Sequence, residues 1–299
     1  MVFGPWSHGD WARLRKRQAV GNIYFGDDLS QYYQEEIEAK FFNHFLKNEG
    51  EMNLPEALVF NTGTKNWNEY SEWPPKQSKQ KIFYLGEGQQ LKETASIDTY
   101  QEFISDITKP VPFTEDIKVT FTPRKYMTDD QRFAARRPDV LVYETQVLEQ
   151  DMKLTGEILA SLQVATTGTD ADWIVKVIDV HPHDAENTEE MQDHLQMSNY
   201  HMMVRSEVIR GKYRNSFSQP EAFEPNTKTE VNLSLQDINH TFKKGHKLQI
   251  QVQSTWFPYI DRNPQTYVDN IFKSKPEDFK TQTHRVYNDS FIQFIEIIN

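Results

Sequence analysis

The hexapeptide Gly4-Pro5-Trp6-Ser7-His8-Gly9 sets one imidazole in a short loop of small and rigid residues. An imidazole with an ordinary pKa of about 6.5 can take a proton from an attacking hydroxyl and return it to a leaving group. A loop suits that work, because a general base must meet a nucleophile delivered by a different element. On residue type alone, a lone histidine beside tryptophan and glycine is more often a packed loop residue than a catalyst.

Other stretches carry chemically suggestive residues. His181-Pro182-His183-Asp184 has the donor types of a zinc or other transition-metal site. Its proline instead marks a polar turn after an apolar run. Asp170-Ala171-Asp172 has the acidic density of a calcium loop but lacks further oxygen ligands at regular spacing, and reads as a turn capped by its own carboxylates. The chain has no cysteine, which excludes disulfides, thiolate metal sites and a cysteine nucleophile. No metal and no cofactor are therefore expected. The loop from Ser254 to Pro264 concentrates aromatics and prolines and reads as interface or core in preference to substrate contact. Arg210 to Phe217 and Tyr126 to Asp130 stay open between these roles.

The elements that position these residues fall into two textures. From Asp27 to Lys47 the spacing predicts one helix: Asp27, Asp28 and Ser30 can cap it, and Tyr33, Ile37, Phe41, Phe45 and Leu46 recur at helical spacing. Asn48-Glu49-Gly50 supplies its stop. Ala57 to Phe60 reads as a buried strand. Trp73-Pro74-Pro75 marks a boundary that divides the chain into residues 1–75 and 76–299. Beyond it, short strands lie between turn signals: Lys81 to Leu85, Val140 to Glu144, Gly156 to Ala165, Trp173 to Val180, Glu230 to Leu235 and Lys247 to Ser254. Leu248, Ile250 and Val252 share one face of the last, Gln249, Gln251 and Gln253 the other. This texture favours two packed antiparallel sheets.

A formal charge of -11 argues against a phosphate-tracking surface, so no nucleic-acid partner is expected. The basic run Arg13 to Arg17 is short and reads as a solvated loop. No stretch reaches the roughly 20 apolar residues needed to cross a bilayer, so no membrane partner is expected. Periplasm and cytoplasm both fit a chain without cysteine.

Taken together, Gly4 to Gly9 and Phe41-Phe42-Asn43-His44-Phe45-Leu46-Lys47 resemble the end of the α/β-hydrolase domain of cocaine-esterase-like and α-amino-acid ester hydrolases. Three further stretches, Arg132 to Leu141, Thr166 to Trp173 and Arg210 to Phe217, look like the jelly-roll C-terminal domain shared with X-prolyl dipeptidyl-peptidases. Within that family the match is to the ester hydrolase and glutaryl-cephalosporin acylase branch. The resemblance implies a mainly β chain: a galactose-binding-like jelly-roll sandwich preceded by the C-terminal remnant of an α/β-hydrolase domain. It also implies that His8 is the base of a serine triad.

In that fold the chain order is nucleophile, acid, histidine, and no G-x-S-x-G elbow occurs in these residues. The expectation is therefore the C-terminal portion of a serine hydrolase of dipeptidyl-peptidase, ester hydrolase or acylase type, inactive alone. Completed by its hydrolase domain, it would act on a small acyl ester or amide. Its exposed remnant would drive self-association. The alternative is a stand-alone carbohydrate- or ligand-binding jelly-roll module.

Overall fold

The structure, a computed structural model, describes residues 1–13, 19–26, 28–96, 99–116, 124–187 and 195–298. Residues 14–17 of the basic run and Asp27 of the expected helix lie outside the described residues.

The strand Val2–Phe3 pairs in parallel with Ala57–Asn61, which pairs antiparallel with Asn66–Tyr70. A parallel neighbour needs a long crossover, and the helical segment 29–47 supplies it. Asp28 caps the start by accepting from the Gln31 amide, and Asn48, left-handed at φ 58°, closes the end. The segment is not one regular α-helix: a π-helical stretch, Tyr33–Glu38, separates Leu29–Tyr32 from Ala39–Lys47.

The remainder forms a β-sandwich of jelly-roll type from an eleven-stranded sheet that folds back on itself. One layer runs His201–Arg210, Asp172–Val180, Lys247–Gln253, Val140–Glu144. The short strand Gln90–Lys92 joins Val140–Glu144 to the other layer, which runs Ser78–Gly86, Phe291–Ile297, Met152–Thr166, then Gln282–Tyr287 and Tyr100–Ser105, with Thr229–Phe242 also on Met152–Thr166. Between the layers lie Leu154, Leu162, Trp173, Val177, Ile250 and Phe294, all fully buried. Every expected strand is present. Thr229–Phe242 runs past the anticipated Leu235 because a bulge there leaves Gln236 at φ 63° and interrupts the alternation.

The first sheet is fastened to the sandwich rather than tethered to it. Asn61 donates to Thr241 Oγ1 at 2.9 Å, and Asn239 donates to the Val59 carbonyl at 3.2 Å. A second core of Ile23, Phe25, Leu29, Phe60, Tyr200 and Met202 joins residues of both parts.

The glutamine face of Lys247–Gln253 is as buried as its apolar face. Gln251 donates to the Gln131 carbonyl of the segment above it, and beside it in the sheet stands its cross-strand partner Lys176, also inaccessible to solvent. Lys176 donates to Gln131 Oε1 at 3.0 Å and sits 4.5 Å over the Trp256 ring. Burial pushes its pKa down to about 7. The unfolded chain therefore binds more protons than the folded one between about pH 7 and the ordinary lysine range, so stability rises with pH across that window. In urea denaturation the midpoint is expected to climb from pH 7 to pH 9.5. Lys176→Met is expected to flatten that climb and add about 1 kcal/mol at pH 7. An unchanged pH slope in the variant would show that the lysine is not the source.

Candidate functional site

His8 lies in the loop that leaves the carboxyl end of Val2–Phe3, on the sheet edge where parallel α/β sheets place their ligands. The loop is built to hold one shape. Gly9 has φ 76°, which a side chain would strain, and a Cβ on Gly4 would stand 2.3 Å from the Trp6 ring. Asp10, buried at the start of the helix Asp10–Arg13, accepts from the Ser7 amide at 3.3 Å and from the Ser7 hydroxyl. Trp6 packs on Tyr33 of the crossover at 5.1 Å between ring centroids and on Trp67 of Asn66–Tyr70 at 5.7 Å.

His8 itself faces solvent, with its ring edge-on to Trp11 at 6.4 Å. Among the described residues no carboxylate or hydroxyl hydrogen-bonds the imidazole. A triad base needs an acid to fix its tautomer and a hydroxyl to deprotonate. The loop thus presents a base on a rigid platform.

Beside it runs an apolar groove of about 630 Å³ lined by Phe3, Trp11, Ile37, Phe41, Phe42 and Leu58 among others. Phe41, Phe42, Phe45 and Leu46 of the crossover helix are 41 to 74% exposed. The apolar spacing of this helix is as expected from the sequence. Apart from the buried Leu29 and Ile37, much of the face it defines is bare.

The remaining motifs fall out as follows. Asp170 accepts from the amides of Ala171 and Lys212, and Asp172 takes Arg210 on both oxygens and Asn263 at 2.7 Å. Burial, with the Asp172 carboxylate beside it, pushes Asp170 up to about 6. Trp256 of the aromatic loop is core, packed with Phe113, Ile174 and Met203, and Tyr259 stacks on Tyr126 at 4.3 Å. Those two tyrosines, with Pro5 and Trp6, line a cavity of about 440 Å³.

His183 and Asp184 form an exposed turn, but His181 does not belong with them. It stands at the end of Asp172–Val180 beside Asp179, which is also met by His240 and His246. Burial works to raise the Asp179 carboxyl, but hydrogen bonds and charge from His240 and His246 outweigh it and hold it well below the carboxylate range. Burial pushes His181 down to about 4 against the pull of Asp179. Sequence reasoning missed this grouping because His240 and His246 enter it from other strands and turns. The one local signal is Asp179 and His181 two residues apart on a strand, and so on one face.

The model of the X-Pro dipeptidyl-peptidase C-terminal non-catalytic domain matches residues 48–292. The chain belongs to this family. It is 27% identical over 304 residues to cocaine esterase of Rhodococcus sp. (strain MB1 Bresler), covering 96% of this chain and 49% of that protein. A crystal structure of an aminopeptidase from a marine sediment Thaumarchaeota archaeon superposes at TM-score 0.92 with 32% identity, over 99% of this chain and 49% of that one. An α-amino acid ester hydrolase superposes at TM-score 0.88 with 33% identity, with the same coverage. The chain thus spans about half the length of the relatives it matches. The family model takes in the strands Ala57–Asn61 and Asn66–Tyr70 together with the sandwich.

The loop geometry makes a direct prediction. Gly9→Ala is expected to cost about 1 kcal/mol in chemical denaturation, and Gly9→Asn less, because asparagine tolerates the left-handed region. Equal losses from both, or none from either, would contradict the positive φ.

Proposed function

We infer that this chain is the C-terminal portion of a serine hydrolase that cleaves acyl ester or amide bonds, with His8 as its general base. What carries the reading is the placement of His8: exposed, on a loop held rigid by Gly9, Asp10 and Trp6, at the carboxyl end of a parallel strand. The names of the relatives, an esterase, an aminopeptidase and an ester hydrolase, support the reaction class.

The chemistry follows from the ring. A serine hydroxyl from the hydrolase portion gives its proton to the imidazole as its oxygen attacks the acyl carbon, and the imidazolium returns that proton to the leaving alcohol or amine. Water then repeats the sequence on the acyl-enzyme and frees the acid. An acidic residue from the same portion orients the ring. The 299 residues contain no G-x-S-x-G, so alone they supply a base without a nucleophile. The division at residues 75 and 76 separates the part that carries His8 from the sandwich that braces it.

The bare face of Phe41, Phe42, Phe45 and Leu46, with the edge of Val2–Phe3 that no strand among the described residues pairs, is the surface on which the hydrolase portion packs. Left uncovered, it drives the chain onto itself. Phe42→Asp with Phe45→Asp is expected to shift sedimentation toward a monomer; the same mass distribution in both proteins would contradict this role.

Catalysis has its own test. A fluorophosphonate probe is expected to leave the purified chain unlabelled. Joining the chain at residue 1 to the preceding half of the α-amino acid ester hydrolase is expected to restore ester turnover. His8→Ala in that fusion is expected to lower kcat by roughly 10³-fold or more with KM little changed. Stoichiometric labelling of the chain alone, or an active His8→Ala fusion, would overturn the assignment.

A further inference from the structure

The side chains gathered at the end of Asp172–Val180 stand apart from the His8 loop, and their types and spacing could hold a metal ion. Asp179 Oδ1 lies 2.8 Å from His246 Nδ1, and Asp179 Oδ2 lies 3.9 Å from His181 Nε2. The three ligand atoms all fall within 4.8 Å of one another, and the two imidazole rings are 4.8 Å apart between centroids. A tetrahedral zinc with bonds of about 2.0 to 2.1 Å holds its ligand atoms about 3.3 Å apart, a spacing that falls within the 4.8 Å that encloses these three atoms.

The fold fixes these positions firmly. Asp172–Val180 and Lys247–Gln253 are paired so that Asp179 faces Leu248 and Val180 faces Lys247, which brings His246 alongside Asp179 and His181. The His181 amide donates to the Tyr200 carbonyl at 2.9 Å. Behind the carboxylate, fully buried His240 reaches Asp179 Oδ2 at 3.1 Å through Nε2, and its Nδ1 meets Thr62 Oγ1 at 2.7 Å. A hydrogen-bonded imidazole that orients a ligating carboxylate is the kind of outer support that metal sites carry.

The grouping opens onto a cavity of about 410 Å³. His181 and His246 side chains are 16% and 15% exposed, so an ion can reach them and keep a coordination position for water. The same cavity is lined by Lys65, Lys243 and Glu186. With two ammonium groups near and one carboxylate in the set, calcium or magnesium would lack the oxygen ligands they require. Two imidazole nitrogens suit a borderline ion.

We propose that Asp179, His181 and His246 form a three-ligand site for Zn²⁺, with His240 as the residue that positions the carboxylate. On binding, the His246 proton moves from Nδ1 to Nε2 by exchange with water, so that the neutral ring ligates the ion through Nδ1 and the ion replaces the hydrogen bond to Asp179 Oδ1.

The test uses the whole chain after chelator dialysis, titrated with Zn²⁺ by calorimetry and with Co²⁺ followed by its visible absorption. One ion per chain is expected, with His181→Ala and His246→Ala each weakening binding at least tenfold and His240→Asn weakening it less. His183→Ala is expected to bind as the parent does, since its imidazole stands 85% exposed on the neighbouring turn. Circular dichroism confirms folding of each variant, and His181→Gln replaces His181→Ala if the latter fails to fold. Absence of stoichiometric uptake, uptake unchanged in both His181 and His246 variants, or uptake lost in His183→Ala would overturn the proposal.

Discussion

The pairing of Val2–Phe3 with Ala57–Asn61 is the constraint on which the placement of the His8 loop depends. A parallel pair forces a helical crossover, and that crossover delivers Tyr33 against Trp6. Trp6 then fixes the loop that carries His8 into solvent. Asn61 and Val59 bind the same strand to Thr241 and Asn239 of the sandwich. Through that strand, and through the core that Phe25 and Leu29 share with Tyr200 and Met202, the jelly roll braces the histidine loop.

Much of this was legible in the residues. Gly4 to Gly9 announced a rigid loop, and the structure gives each glycine a reason in a positive φ or a close approach. Alternation found the sandwich strands, because period two survives wherever one face meets the core. The helical spacing marks the end at Lys47 but predicts one regular element. A π turn inserts within the same apolar spacing and leaves little trace in residue type.

What the sequence concealed is what depends on register and on cover. Leu248, Ile250 and Val252 alternate with three glutamines, yet alternation separates faces without saying that a further segment carrying Gln131 covers the polar one together with Lys176. Phe41, Phe42 and Phe45 form an apolar stripe whose burial cannot be inferred from periodicity alone. Asp179 meets histidines from positions 181, 240 and 246 only once three strands are in register. Proline at 182 points correctly to the turn at His183 and Asp184, and in doing so draws attention from the half-buried histidine before it.

The proposed function requires that a hydrolase sheet continue from the edge of Val2–Phe3 that no strand among the described residues pairs, and bring a serine to His8. Amide hydrogen exchange across residues 1–8, measured on the chain alone and on the fusion carrying the hydrolase half, tests it most directly. Strong added protection at Val2 and Phe3, together with protection of the Phe41 to Leu46 face, is the predicted result. Exchange at these residues that is as fast in an active fusion as in the chain alone would contradict it.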